Sequence, residues 1–325
     1  LTLGARYDDF STFGDNTTWQ AGLEFSVFED LKLRATAGEV FRAPGIFELF
    51  GGQIDSFPTY NDPCDPTNNQ GVLAPGCAQA TTQLDTQVLA KVGGNPALNP
   101  EEGDTFTAGI VWTPTFGDHD LSITVDYWKT ELEGLIGALG VQYILDDCYR
   151  DLNQNSCALI TRRSADYSIA QILDAPLNAA LAEAEGVDTE IRWSFETGIG
   201  EFETAVLWAH YMTLDRRAFP GDDPFNAIGR YTGDAYAQDK MNYSIGWFRN
   251  DFSIRYLGEY ISDLLSPGIF FADYDQKVDA QLYHDLIFGY DIRSTGTRIS
   301  AGNTNVADEA PPYIEQGFNA STDPG

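Results

Sequence analysis

Long apolar runs, basic residues and catalytic motifs are scarce in this sequence. None of its apolar stretches approaches the roughly 18 to 20 residues that a membrane-spanning helix needs, which excludes a helical membrane protein. Only 19 Lys and Arg stand against 49 Asp and Glu. The resulting net charge of -30 repels phosphate backbones, so the composition argues against a nucleic-acid partner.

Catalysis has little support from the motifs. No HExxH, GxSxG or P-loop pattern occurs, and the three histidines lie far apart. Neighbouring carboxylates such as Asp146-Asp147 and Asp222-Asp223 are expected in so acidic a chain. We interpret them as solvated loop residues, with a calcium or lipopolysaccharide-bridging cation site as the alternative. We therefore predict that the protein is not an enzyme and has no catalytic residues, cofactor or metal site.

The four cysteines fall into two local pairs within segments rich in Asn, Asp and Pro: Cys64 with Cys77, and Cys148 with Cys157. Local pairs in loops favour disulfides and hence an oxidising compartment. Free thiols and metal binding are the alternatives. Neither pair has CxxC spacing, and the histidines lie far from both pairs, so disulfides are the prediction.

Apolar and polar residues alternate along many segments, and a period of two places alternate side chains on opposite faces of a strand. In Trp19–Val27, and again in Val187–Phe195, every second residue is apolar or Thr, and the residues between them are polar or Gly. One face therefore suits hydrocarbon and the other suits water. Aromatic residues make up 13% of the chain, which fits both strands and the aromatic girdles at membrane surfaces.

About eleven segments show this pattern, and many approach the roughly 9 to 11 residues with which a tilted strand crosses a bilayer. The segments are Leu1–Tyr7, Trp19–Val27, Leu31–Arg42, Thr105–Trp112, Leu121–Thr130, Val187–Phe195, Phe202–Thr213, Tyr243–Trp247, Phe252–Ile261, Val278–Phe288 and Thr297–Asn303.

The connections between these segments alternate in length. Tight links at Glu29-Asp30, Thr115–Asp120, Gly198–Glu201 and Arg249–Asp251 separate long ones at Ala43–Asp104, Glu131–Gly186, Leu214–Ala235 and Leu264–Gln276. Short turns at one rim and long loops at the other are typical of outer-membrane barrels. The sequence thus predicts an all-β, antiparallel transmembrane β-barrel with short periplasmic turns and long extracellular loops. A soluble sandwich or propeller with long loops is the alternative, although no sequence repeat supports a propeller.

Three segments resemble known motifs in both order and spacing. Leu33–Phe50 reads LRATAGEVFRAPGIFELF, Asn95–Gly109 reads NPALNPEEGDTFTAG, and Gly302–Ile314 reads GNTNVADEAPPYI. They are similar to the "FRAP…EL", "NP.L.PE" and late "G.NLFDE.PP" signatures of TonB-dependent outer-membrane receptors. The matching positions are Arg42, Ala43, Pro44, Glu48, Leu49, Asn95, Pro96, Leu98, Pro100, Glu101, Gly302, Asp308, Pro311 and Pro312.

Some of these positions have a local physical explanation. Arg42 ends a predicted strand, and Pro44 cannot donate to a sheet ladder, so the chain leaves the sheet there for a long loop. Two Asn-Pro steps hold the chain extended before the next strand, because a residue that precedes proline avoids the helical region. Loop punctuation is thus the interpretation, and direct ligand contact is the alternative.

The resemblance covers essentially the whole chain and implies energised import. Receptors of this kind bind a scarce solute outside the cell and are driven by TonB through a plug domain that fills the barrel. No TonB box, plug or terminal aromatic strand is evident here, so we expect residues 1–325 to be a partial barrel with about half of roughly 22 strands.

The implied location is the Gram-negative outer membrane, with lipid and lipopolysaccharide as surroundings. The implied partners are the TonB complex, through the plug, and a ferric siderophore, cobalamin, an oligosaccharide or a similar solute. A passive porin and a secreted, disulfide-containing binding module are the alternatives. From their position in the loops, Phe50, Phe57, Tyr60, Tyr149 and Phe219 are predicted to face the ligand.

Overall fold

The computed structural model describes residues 1–219, 222–231, 235–266 and 276–312. In chain order the elements are β1 (Thr2–Phe10), β2 (Gly14–Phe28), β3 (Leu31–Arg42), α1 (Ile46–Phe50), β4 (Ile54–Ser56), a 3-10 helix (Pro66–Asn69), β5 (Ala90–Val92), β6 (Glu101–Trp112), β7 (Thr115–Phe116), β8 (His119–Gly137), α2 (Val141–Tyr149), α3 (Gln154–Cys157), β9 (Ile160–Arg162), β10 (Ile169–Leu173), β11 (Leu177–Thr197), β12 (Gly200–Arg217), β13 (Phe225–Asn226), β14 (Arg230–Tyr231), β15 (Ala235–Tyr236), β16 (Asp239–Arg249), β17 (Phe252–Ile261), β18 (Leu264–Ser266), β19 (Gln276–Val278), β20 (Gln281–Ile292) and β21 (Thr297–Asn303).

One large antiparallel sheet dominates the structure. Its strands follow the order β1-β2-β3-β6-β8-β11-β12-β16-β17-β20-β21, while the short β7 and β13 pair with β8 and β12. Each of the eleven predicted strands corresponds to one strand of this path, which confirms the all-β fold. Within the described ranges β1 and β21 each pair with only one strand of this path, so the sheet is open at both edges.

Several strand bounds differ from the prediction. β3, β17 and β21 match it at both ends, but β8 and β11 extend well beyond Leu121–Thr130 and Val187–Phe195. The predicted strand Val278–Phe288 was wrong at its start, because Val278 pairs with Leu264 in a separate small sheet and β20 begins at Gln281.

The two faces of the large sheet differ in polarity. The apolar face carries Leu23, Phe106 and Ile191, and the polar face carries Arg34 and Arg192. Aromatic residues crowd the apolar face near the short turns, where the rings of Trp193 and Phe195 lie 4.4 Å apart. Further residues in this belt are Trp112, Phe116, Phe202, Trp247, Phe252 and Tyr290. An apolar band ending in an aromatic girdle is typical of the lipid-facing side of a barrel.

Short turns and long loops lie at opposite rims of the sheet. The short-turn rim holds the links after β2, β6, β11, β16 and β20, and the long-loop rim holds those after β3, β8, β12 and β17. The tight link 11–13 between β1 and β2 is an exception, because it belongs to the long-loop rim. Parts of two predicted long links, 220–221 with 232–234 and 267–275, lie outside the described residues.

The most fully buried apolar residues lie in the loops rather than in the sheet. The larger cluster includes Ala90, Ile144, Leu145 and Ile172, all contributed by the links that follow β3 and β8. A smaller cluster joins Ala237 and Ile261 near the same rim. Among the described residues, no helix has the length and apolar character to cross a membrane.

Gly109 makes room for an ion pair on the polar face. It lies on β6 between Arg34 of β3 and Asp126 of β8, and Arg34 Nε donates to Asp126 Oδ1 at 2.8 Å. A Cβ atom on Gly109 would overlap the Asp126 carboxylate. We expect Gly109→Ala to displace this pair and to lower the free energy of unfolding by about 1–3 kcal/mol, measured by urea titration in detergent.

Gly22→Ala is the matched control, because a Cβ atom there would lie no nearer than 3.7 Å to any neighbouring atom. Equal stability of the two variants would show that the Arg34–Asp126 ion pair across Gly109 does not stabilise the large sheet.

Candidate functional site

The first two sequence motifs meet where the loop after β3 begins and ends. Arg42 is the last residue of β3 and pairs with Glu101, the first residue of β6. Its guanidinium donates two hydrogen bonds, of 2.7 and 2.6 Å, to the Glu101 carboxylate. The same group donates to both oxygens of Glu48 in α1, at 3.0 and 3.1 Å. One arginine therefore joins two strands and a loop helix, an arrangement that we call the junction.

Hydrogen bonds to the backbone extend the junction. Glu101 Oε1 accepts from the Ile136 amide at 2.7 Å, so the carboxylate also holds the end of β8. Asn95 Nδ2 donates to the Pro176 carbonyl at 3.0 Å. Asn178 bonds both the amide and the carbonyl of Asn99, at 2.7 and 2.8 Å. The loops after β3 and β8 are thus tied together where they leave the sheet.

The contacts of the junction lie within the chain. The hydrogen bond from Arg42 and the Gly45 amide hold the pKa of the Glu48 carboxyl below its usual range. Leu49, Leu98 and Pro44 are buried beside it. Nearly all of its donors and acceptors are engaged within the chain, which supports the interpretation of these motifs as loop punctuation.

The third motif lies apart from the first two. Gly302 belongs to β21, and the turn that follows is closed by Asn305, which bonds the amide and the carbonyl of Glu309 at 2.9 and 2.8 Å. Asp308 adopts a positive φ of 52° in this turn. Six strands of the sheet path separate β21 from β6, the strand that begins within the second motif. Pro311 and Pro312 follow the turn, and the last two motif residues, 313 and 314, lie outside the described residues.

The loops after β3 and β8 fold together into one unit, residues 43–100 and 138–176, which we call the lobe. Its small sheet has the order β4-β5-β10-β9, with β5 from one loop parallel to β10 from the other. Apolar residues of both loops share one core. Each loop alone would leave this apolar surface in water, so the two depend on each other for their structure.

A buried ion pair joins the two halves of the lobe. Arg162 Nη1 and Nη2 donate to the two carboxylate oxygens of Asp62, at 2.8 and 2.7 Å, and their side chains are only 7% and 1% exposed. The guanidinium also lies 4.8 Å from the ring centres of Tyr149 and Tyr167. Burial raises the pKa of the Tyr149 hydroxyl, which accepts a hydrogen bond from Arg162 at 2.7 Å.

Both predicted cysteine pairs are disulfides in the lobe: Cys64 is linked to Cys77 and Cys148 to Cys157. We expect non-reducing peptide mapping of the protein to recover these two linkages. Reduction of the two disulfides should leave the strands of the large sheet intact and raise protease cleavage within the lobe. Recovery of four free thiols from oxidised protein would contradict the assignment.

Comparison with known families decides the relationship. The sequence matches the family described as TonB dependent receptor-like, beta-barrel, over residues 1–306. The chain belongs to this family. The eleven-strand path, the two kinds of rim and the motif-bearing junction are the parts of a TonB-dependent receptor barrel that it contains.

Solved receptor structures have the same fold. A variant of the ferric enterobactin receptor PfeA from Pseudomonas aeruginosa is 14% identical, with a TM-score of 0.61, and the match covers 94% of this chain and 37% of that one. The siderophore receptor PirA from Acinetobacter baumannii is 12% identical, with a TM-score of 0.59 and coverage of 94% and 39%. This receptor chain therefore spans less than two-fifths of the length of these two structures.

The five positions predicted to face a ligand differ in accessibility. Phe50 and Phe57 are exposed on the lobe, and Tyr60 is partly buried against its core. Tyr149 and Phe219 are buried, because Tyr149 packs on Arg162 and Phe219 lies 6.3 Å from the Tyr143 ring. Ligand contact by these residues stays a prediction, and the structure leaves only Phe50 and Phe57 with freely accessible rings.

Sequence reasoning missed the residues that hold this receptor's lobe together. Asp62 and Arg162 lie 100 residues apart and carry no motif, so no local pattern could pair them. The position of Arg162 just after the short apolar run Ala158–Ile160, in a cysteine-bearing loop, was the only available signal. Across residues 1–219, 222–231, 235–266 and 276–312, no three His, Cys, Asp or Glu side chains are grouped to hold a metal ion.

Proposed function

We propose that the intact protein is an outer-membrane receptor that imports a scarce solute with energy delivered by TonB. The family match over residues 1–306, on a sheet with one apolar face and two unlike rims, is the observation that carries this proposal. The apolar face would contact membrane lipid and the polar face would line the barrel interior. In this arrangement residues 1–325 supply barrel wall and ligand-side loops, and the plug that couples to TonB belongs to the intact receptor.

The solved structures with the same fold support a first candidate for the solute class. PfeA is a ferric enterobactin receptor and PirA is a siderophore receptor, which supports a ferric siderophore as the first candidate. Cobalamin and oligosaccharides remain candidates, since a shared fold does not fix the ligand. The long-loop rim, with the lobe above it, would face the cell exterior next to lipopolysaccharide.

The proposal is tested by solute accumulation in cells that differ only in this receptor and in TonB. We expect radiolabelled ferric enterobactin or cobalamin to accumulate when both proteins are present, and to remain at background when either is deleted. Accumulation that needs the receptor but not TonB would contradict energised import and indicate a passive porin. A control receptor of known TonB dependence reports whether the TonB deletion is effective.

A further inference from the structure

A cavity of about 760 Å³ lies at the long-loop rim, between the lobe and the upper end of β12. Its volume is in the range of small-molecule sites, roughly 300–1,000 Å³. Apolar residues such as Leu135, Leu139 and Ala180 form part of the wall. The charged lining consists of Asp147, Asp151, Asp222, Asp223, Arg216 and Arg217.

The four aspartates that line the cavity differ in their hydrogen bonding. Asp222 accepts hydrogen bonds from the Tyr143 hydroxyl at 2.8 Å and from the Phe219 amide at 2.9 Å. Asp147 is buried and accepts from the Ser156 hydroxyl. The side chains of Asp151 and Asp223 are exposed, and their carboxylates make no hydrogen bond or ion pair within the described parts of the chain. The cavity is thus lined by two carboxylates that accept hydrogen bonds from the protein and by two that have no partner among the described residues.

The basic side of the cavity has an unused donor. Arg216 Nη2 donates to the Tyr236 hydroxyl at 2.6 Å, and its guanidinium lies 5.2 Å from the Tyr236 ring centre. Arg217 also lines the cavity, and its Nε is buried without a hydrogen-bond partner among the described residues. A buried donor without a partner is costly, and a ligand that brings an acceptor would remove that cost.

We propose that this cavity binds a small solute that carries both a cationic group and a carboxylate, as a basic amino acid or a short basic peptide does. The ammonium or guanidinium group would lie among the aspartates, and the carboxylate would accept from Arg217. Four carboxylates against two guanidinium groups favour a ligand with a net positive charge. This ligand class differs from the ferric siderophore proposed above, so the inference goes beyond the proposed function and assigns a second class of ligand to a place of its own.

Calorimetric titration of the intact receptor in detergent tests the site with three probes. L-arginine carries both groups, agmatine lacks the carboxylate, and L-glutamate has an acidic side chain. We expect saturable binding of L-arginine, about tenfold weaker binding of agmatine, and no detectable binding of L-glutamate. A tenfold change in Kd corresponds to about 1.4 kcal/mol.

Variants locate the binding. Asp151→Asn combined with Asp223→Asn removes two exposed carboxylates that support no other contact, and we expect it to weaken L-arginine binding about tenfold, which is about 1.4 kcal/mol. Asp118→Asn removes an equally exposed carboxylate at the short-turn rim and should change nothing. Absence of saturable L-arginine binding, or equal affinity in both variants, would overturn the inference.

The two proposals fail in different ways. TonB-dependent accumulation of a siderophore or cobalamin, together with no L-arginine binding, would refute the cavity assignment and leave energised import standing. L-arginine binding at the cavity in a protein that transports without TonB would refute energised import and leave the cavity assignment standing.

Discussion

Ile191→Arg is expected to prevent accumulation of the folded receptor in the outer membrane. Ile191 lies on the apolar face of β11, paired with Ile123 on one side and Val206 on the other. An arginine there would place its charge in hydrocarbon, at a cost of about 2–4 kcal/mol at the bilayer midplane. The amount of heat-modifiable, folded protein in outer-membrane fractions measures the effect.

Thr124→Arg is the matched control for that variant. Thr124 lies one residue after Ile123 on β8 and is paired with Glu190, so it belongs to the polar face at the same height. An arginine at this position meets water and a carboxylate rather than lipid, and we expect near-normal assembly. Equal loss in both variants, or equal tolerance, would contradict the assignment of the two faces.

Arg162→Met is expected to unfold the lobe while the large sheet stays folded. Removal of the guanidinium leaves the buried carboxylate of Asp62 without its partner, and breaking a buried pair in this way costs about 3–5 kcal/mol. The packing of Tyr149 and Tyr167 on the guanidinium is lost as well. Hydrogen exchange of the α2 amides measures the free energy of opening of the lobe.

The neighbouring Arg163→Met is the control, because Arg163 is exposed and its side chain bonds only Ser168 and Ile169, at 3.0 Å. We expect a change of about 0.5 kcal/mol or less. The double variant Asp62→Asn with Arg162→Met should recover part of the lost stability, since no uncompensated charge remains. Exchange in Arg162→Met that equals the exchange in Arg163→Met would show that the ion pair does not hold the lobe.

Alternation of apolar and polar residues was sufficient to predict the wall of the barrel. It placed Leu31–Arg42, Phe252–Ile261 and Thr297–Asn303 at their observed bounds, because a short turn of mostly polar residues precedes each of these strands. The same alternation predicted only part of the length of β8 and β11. Above the apolar band the residues on the same face become charged, as at Glu131 and Glu183, while the hydrogen-bond ladder continues. Hydropathy thus marks the lipid-facing part of a strand rather than its whole length.

The lobe could not be predicted from local sequence. Its elements α1, α2, β5 and β10 are short, and their stability comes from contacts between two loops distant in the chain. The motifs indicated the family and the place where the chain leaves the sheet, but they did not indicate that Arg42 holds Glu48 and Glu101 at once. The cavity beside β12 depends on the same long-range packing, so its aspartates had looked like ordinary loop residues.

The central claim is that this sheet is the wall of an outer-membrane barrel with the lobe facing the cell exterior. Surface labelling of single cysteines by a membrane-impermeant maleimide tests it most directly, because the four native cysteines are paired. Leu84→Cys lies in an exposed part of the lobe, and Gly198→Cys lies in a short turn at the opposite rim. We predict labelling of Leu84→Cys in intact cells and of Gly198→Cys only after the outer membrane is permeabilised. Labelling of both positions in intact cells, or of Gly198→Cys alone, would contradict the account.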